Sequence, residues 1–142
     1  MTERNVKMKA LLKIANRVEK EANAFSDWGF TTSPAPEGDG FLVGAQLQSK
    51  TEDILNVIFD IKKKDSSIAV FMPGCIFHEE FMKQQAGLLG FSVHVSGKTG
   101  EMLLMRSKFE TARLETDMDV IIRGMMMEMI NAVNRIYTEG KK

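Results

Sequence analysis

The stretch 116–142 sets the tightest limit on how this chain can fold. It reads as one long helix with more apolar surface than a single packing partner can cover. At about 100° per residue, Met118, Ile121, Ile122, Met125, Met126, Met129, Ile130, Val133, Ile136 and Tyr137 fill roughly half the circumference. A surface helix normally presents an apolar stripe of about 100°. Val120, Gly124 and Met127 fall on the far side, among Arg123, Glu128, Asn131, Asn134 and Arg135. The first set predicts a core-facing surface. The second predicts contact with another subunit or a partner.

The rest of the chain divides by the period of its apolar residues. Leu11, Ile14, Ala15, Val18, Ala22 and Phe25 recur at helical spacing, so residues 3–25 are read as an amphipathic helix, with Met8 and Leu12 widening its buried side. Trp28 and Phe30 are expected to pin the chain against the core beneath it. Pro34, Pro36, Gly38 and Gly40 make 31–40 a long loop, since these residues disfavour both helix and ladder. The period then changes to two. Phe41, Val43, Ala45 and Leu47 alternate with Gly44, Gln46 and Gln48, and Leu55, Val57, Phe59 and Ile61 with Asn56, Asp60 and Lys62. A third strand is expected over 68–72, stopped by Pro73 and Gly74. A helix follows over 77–89, with Glu79 and Glu80 at its positive end. Two more strands, 91–96 and 101–109, precede the final helix. The order α-β-β-β-α-β-β-α predicts a single α+β domain over 1–142, a mostly antiparallel five-stranded sheet with the helices packed on one face.

Length and charge then limit function. At 142 residues the chain can bury roughly two-thirds of its unfolded surface as one domain. Nineteen basic residues balance nineteen acidic ones. This argues against a nucleic-acid binder, which needs a basic excess or a basic face. Lys9, Lys13, Arg17 and Lys20 do gather on one side of the first helix, but Glu19 and Glu21 dilute their field. The single cysteine rules out an internal disulfide and fits a reducing compartment. The first thirteen residues are too charged for a signal peptide, and no apolar run approaches the length of a membrane span. A cytoplasmic protein is expected.

No motif supplies a complete chemistry. Cys75 and His78 have metal-like spacing at a strand-to-helix junction, and His78-Glu79 begins a zinc-protease signature in which Met82 replaces the second histidine. Cys75 before a helix could be an activated thiol, yet unreactive cysteine is among the most buried residue types. His94 alternates with Val93 and Val95 and so falls on the polar side of its strand. Gly97-Lys98-Thr99 imitates the end of a phosphate loop, but the glycine required at position 92 is Ser92. Gly38-Asp39-Gly40 is followed by Val43 where a dinucleotide fingerprint needs glycine. Thr116 is read as the cap of the last helix, with Asp117 and Asp119 opposing its dipole. Neither metal nor cofactor is expected.

Eleven methionines, five of them between Met118 and Met129, supply flexible side chains that fill irregular cores and also form adaptable contact surfaces. Gly124 costs about 1 kcal/mol relative to alanine inside a helix, a cost that close approach by another backbone would explain. The element order, carried by the alternating 55–61 and 68–72 hairpin, the 77–89 helix and the 91–109 hairpin, resembles the type III secretion chaperone-like fold. That resemblance implies a small cytoplasmic homodimer that binds extended protein segments. The expectation is therefore a non-enzymatic, homodimeric interaction module whose contact surface includes Val120, Gly124 and Met127. The alternative is a small ligand- or metal-binding sensor or enzyme at Cys75 and His78.

Overall fold

Alternation of apolar side chains builds the centre of the sheet. In the computed structural model, which describes residues 7–48, 54–73, 77–88, 90–95, 101–106 and 108–140, the chain forms three helices and seven strands. They are α1 (Met8–Phe25), β1 (Thr31–Pro34), β2 (Gly40–Gln48), β3 (Ile54–Lys62), β4 (Asp65–Pro73), α2 (Glu79–Leu88), β5 (Phe91–Val95), β6 (Glu101–Arg106), β7 (Phe109–Glu110) and α3 (Leu114–Glu139), the last entered through a 3-10 turn at Thr111–Arg113. The fold is α+β, as expected. Strands run in the order β1-β2-β3-β4-β6-β5, with β7 also on β4, and every described pair is antiparallel.

One face of the sheet is the core. Register aligns Val43 with Phe59, Ala45 with Val57, Val57 with Val70, Phe59 with Ile68, and Val70 with Leu104. These residues all belong to a single buried cluster, to which α1 contributes Leu11 and Val18, α2 Met82 and Ala86, and α3 Ile122, Met126 and Ile136. All three helices therefore stand on this face. The chain after α1 is pinned as expected: Phe30 is buried, Trp28 stacks on it at 6.0 Å, and Phe30 meets Phe59 at 6.0 Å.

Two strands exceed the expected five, each for a physical reason. The 31–40 segment is not all loop, because Thr31 to Pro34 pair with Gly44 to Phe41. Proline lacks only a donor, and at a sheet edge that donor would face outward, so Pro34 is tolerated there. The true turn is shorter: Gly38 N donates to Ala35 O at 2.9 Å, with Pro36 in the position that suits its fixed φ and Gly38 at φ +73°. Gly40 is required beyond it, since any Cβ would collide with the Ile61 carbonyl. The other extra strand comes from a register offset. Ala69 pairs with Met105, but Ser66 pairs with Phe109. One more residue has entered on the β6–β7 side, which has the signature of a β-bulge. That offset exchanges odd and even positions, so Leu104 and Phe109 both point into the core.

Smaller departures concern helix edges. Leu12 is 42% exposed rather than part of the buried side of α1. The last helix starts at Leu114, with Asp117 outside helical geometry at φ −120°, ψ 29°. Thr116 does not cap it: its hydroxyl donates backwards to Arg113 O at 3.4 Å. A buried hydroxyl pair fastens this entry instead. Thr111 Oγ1 donates to Lys62 O at 2.7 Å and lies 2.6 Å from Ser66 Oγ, which accepts from Lys62 N at 3.3 Å. At the other end of α3, the His78 backbone N–H donates to Gly140 O at 2.8 Å. Phe77 meets Tyr137 edge-on at 4.9 Å just beside it.

Candidate functional site

The outward side of α3 is where apolar side chains and solvent meet most openly. Its inward side is settled by the core, with Met118, Ile122, Met125, Met126, Met129, Val133 and Ile136 all buried. Opposite them, Val120 is 70% exposed and Met127 56%. Gly124 lies between them, exposed, and a Cβ there would meet nothing within 4 Å. Among the described residues no neighbour explains that glycine.

The line through these residues continues further than the sequence reading took it. Asn131, Asn134 and Thr138 extend it at alternating steps of three and four, and all three are exposed. Over this span the line is about 27 Å long at 1.5 Å per residue, and it carries no charge. A repeat of that kind is the seam geometry through which one helix packs along another. The signal was present in the sequence. Two asparagines among charged neighbours read as ordinary solvated surface, and only the burial of the opposite side of α3 isolates the row.

Two shallow grooves flank the seam. One, of about 360 Å³, runs beside Val120 and Gly124 and is lined also by Lys108, Phe109, Arg113 and Glu128. The other, of about 490 Å³, lies between α2 and α3, where Leu88, 73% exposed, faces Asn131, Asn134 and Arg135. Seam and grooves offer apolar contact and hydrogen bonding, but no convergent acid, base or nucleophile. Arg123, at the edge of the seam, is held to Glu21 of α1 at 3.1 Å.

The remaining predicted positions do not converge. Cys75 lies outside the described residues. His78 is exposed at the start of α2, where its backbone N–H makes the hydrogen bond to Gly140 given above. His94 is exposed on β5, on the side away from the helices. Among the described residues no three His, Cys, Asp or Glu side chains gather closely enough to hold a metal. Lys9, Lys13, Arg17 and Lys20 are all exposed. Glu19 beside them accepts from Thr32 N at 2.8 Å and from its hydroxyl at 3.1 Å.

A perturbed ionic pair, Asp39 and Lys62, lies at the periphery. Lys62 Nζ lies 2.8 Å from Asp39 and 3.5 Å from Asp60 at the end of the β2–β3 ladder. Its hydrogen bond holds the Asp39 carboxyl below the ordinary value of 3.8, and Asp39 in turn raises the Lys62 ammonium above 10.5. Among the described residues no helix is long and apolar enough to cross a membrane. No protein-family model, curated protein or solved structure matches the chain.

Proposed function

We propose that this protein is a non-enzymatic interaction module that works as a cytoplasmic homodimer and holds a segment of a partner protein along the outer seam of α3. The observation that carries the reading is the uncharged, exposed row from Val120 through Gly124 and Met127 to Thr138. Isolated exposed apolar residues are ordinary on protein surfaces, whereas a row at seam spacing beside two grooves is a docking geometry. The likeness in element order to type III secretion chaperone-like proteins supports the same reading. A sensor or enzyme built on Cys75 and His78 draws no support from the described residues.

A photo-crosslinking residue in place of Met127 tests this directly. Covalent protein adducts are expected in cells at position 127, several-fold above those at position 9, an exposed lysine of α1. Met127→Asp should remove partner binding while leaving the helical circular dichroism intact. Equal adduct yields at the two positions, or a Met127→Asp protein that binds its crosslinked partner as well as before, would sink the proposal.

A further inference from the structure

The face of the sheet turned away from the helices is not the solvated surface that alternation alone would produce. Its rows follow from register. Gly44, Ile58 and Ala69 lie side by side across β2, β3 and β4. The next row sets Asn56, Phe71 and Leu103 across β3, β4 and β6. Leu42 begins a third row beside Asp60. Leu42, Ile58, Phe71 and Leu103 are half-buried, and none of them belongs to the core cluster or packs against it. Large Ile58 stands between Gly44 and Ala69, so the surface alternates knobs and hollows. Layers that interdigitate are built from such alternation.

We infer that this outer sheet face is where a second copy of the chain docks, sheet against sheet, about a two-fold axis. The inference rests on the homodimer of the preceding section and assigns its interface, leaving both α3 seams free for partners. Three observations select a second copy. Breadth is the first: a flat face shared by four adjacent strands suits another sheet stacked about 10 Å away. An extended segment instead takes an edge or a groove.

Charge is the second. The middle of the face carries none, and the ions at its end pair with one another, Lys62 with Asp39 and Asp60, so that a single negative charge is left at the rim. The matching surface must then be uncharged and apolar at its centre with polar groups around it, as this same face is, where Gln46 and His94 end the row of Phe71 and Leu103. Isologous contacts require such self-complementarity. A chain of zero net charge also brings no overall repulsion to its own copy.

Area is the third. At about 3.3 Å per residue and about 4.8 Å between strands, the four strands β2, β3, β4 and β6 offer roughly 500 Å² of planar footprint. Side-chain relief raises this towards the about 800 Å² per partner of a standard stable interface.

Sedimentation velocity on the full chain from about 1 to 100 μM provides the test. The wild type is expected to dimerise within that range. Phe71→Lys should raise the dimer dissociation constant by about 30-fold or more, and Met127→Asp should leave it unchanged. Because a lysine could disturb the sheet, the Ile58→Thr/Phe71→Thr variant serves beside it, since threonine retains strand preference. It should keep its near-ultraviolet circular dichroism and lose most of the dimer. A wild type still monomeric at the highest concentration overturns the inference, as do sheet variants that dimerise normally. A dimer lost in Met127→Asp but kept in both sheet variants also overturns it, while leaving α3 as a contact surface. Failed crosslinking at position 127 with a sheet-dependent dimer would sink the seam alone.

Discussion

The two faces of this sheet are made of the same strands, often of neighbouring residues, and they meet different fates. On the inner face Val57, Phe59, Ile61, Ile68 and Val70 are fully buried under three helices. On the outer face Ile58, Ala69 and Phe71, one step along the same strands, remain half-buried with no helix above them. Residue type does not separate the faces, since isoleucine and phenylalanine appear on both. The helical layer separates them. Alternation decides which side a residue points to, and only the placement of α1, α2 and α3 decides which side is the core. An outer face this apolar is more than solvation needs, which is why it reads as a second, intermolecular packing surface.

The comparison can be broken most forcefully by truncating one aromatic on each side. Phe59→Ala empties a fully enclosed site and should cost about 3–5 kcal/mol in urea unfolding. Phe71→Ala should change the stability of the isolated chain by no more than about 1 kcal/mol, because it removes chiefly a cross-strand contact with Leu103. Equal losses would show that the outer face is part of the folding core. Thr111→Val sharpens the picture at the joint between sheet and α3. Removing its hydroxyl leaves Lys62 O and Ser66 Oγ without their buried partner and should cost about 1–3 kcal/mol. No change in the denaturation midpoint would mean that the pair is idle.

The smallest effect lies at the charged end of the outer face. The Asp39 carboxyl is lowered in the folded chain, chiefly by its hydrogen bond to Lys62. Its contribution is therefore present above the ordinary value of 3.8 and lost as pH falls through the lowered one. Lys62 is raised, so its contribution is complete below 10.5 and lost as pH rises through the higher value. Both groups are too accessible to shift thermal unfolding noticeably. Carbon-detected NMR titration of Asp39 is the suitable measurement, and Lys62→Met should return its midpoint towards 3.8. A midpoint indifferent to that substitution would remove the pair from the argument.

Much of this fold could be read before any coordinates. The period-two runs through Val43, Val57 and Phe59, and the helical spacing through Leu11, Ile14 and Val18, are strong because each residue is wholly buried. The failures fall where local chemistry and tertiary context part company. Pro34 reads as a ladder breaker, yet at an edge it breaks nothing. A register offset between β6 and β7 was invisible because 101–109 contains apolar residues in both parities. Leu12 looked like core at helical spacing, but it sits just past the rim of the α1 contact. For the candidate site, Val120, Gly124 and Met127 were legible as surplus apolar surface. The role of Asn131, Asn134 and Thr138 was not, because polar residues declare a seam only when the opposite side of their helix is seen to be the buried one. Nor was the outer sheet face legible: periodicity marks which residues share a side, not which side is left uncovered.

The hydrogen bond from His78 N to Gly140 O has a consequence for how the protein is made. Its two partners leave the ribosome about 60 residues apart, roughly 3–12 s at 5–20 residues per second. Throughout that interval α2 begins with an unsatisfied donor and Phe77 lacks the Tyr137 ring that covers it. The early strands can pair while the nascent chain is still growing, but the helical layer closes only after residue 140 has emerged. A stalled or prematurely released chain would therefore present both faces of its sheet to the cell, making it a client for folding assistance and for degradation.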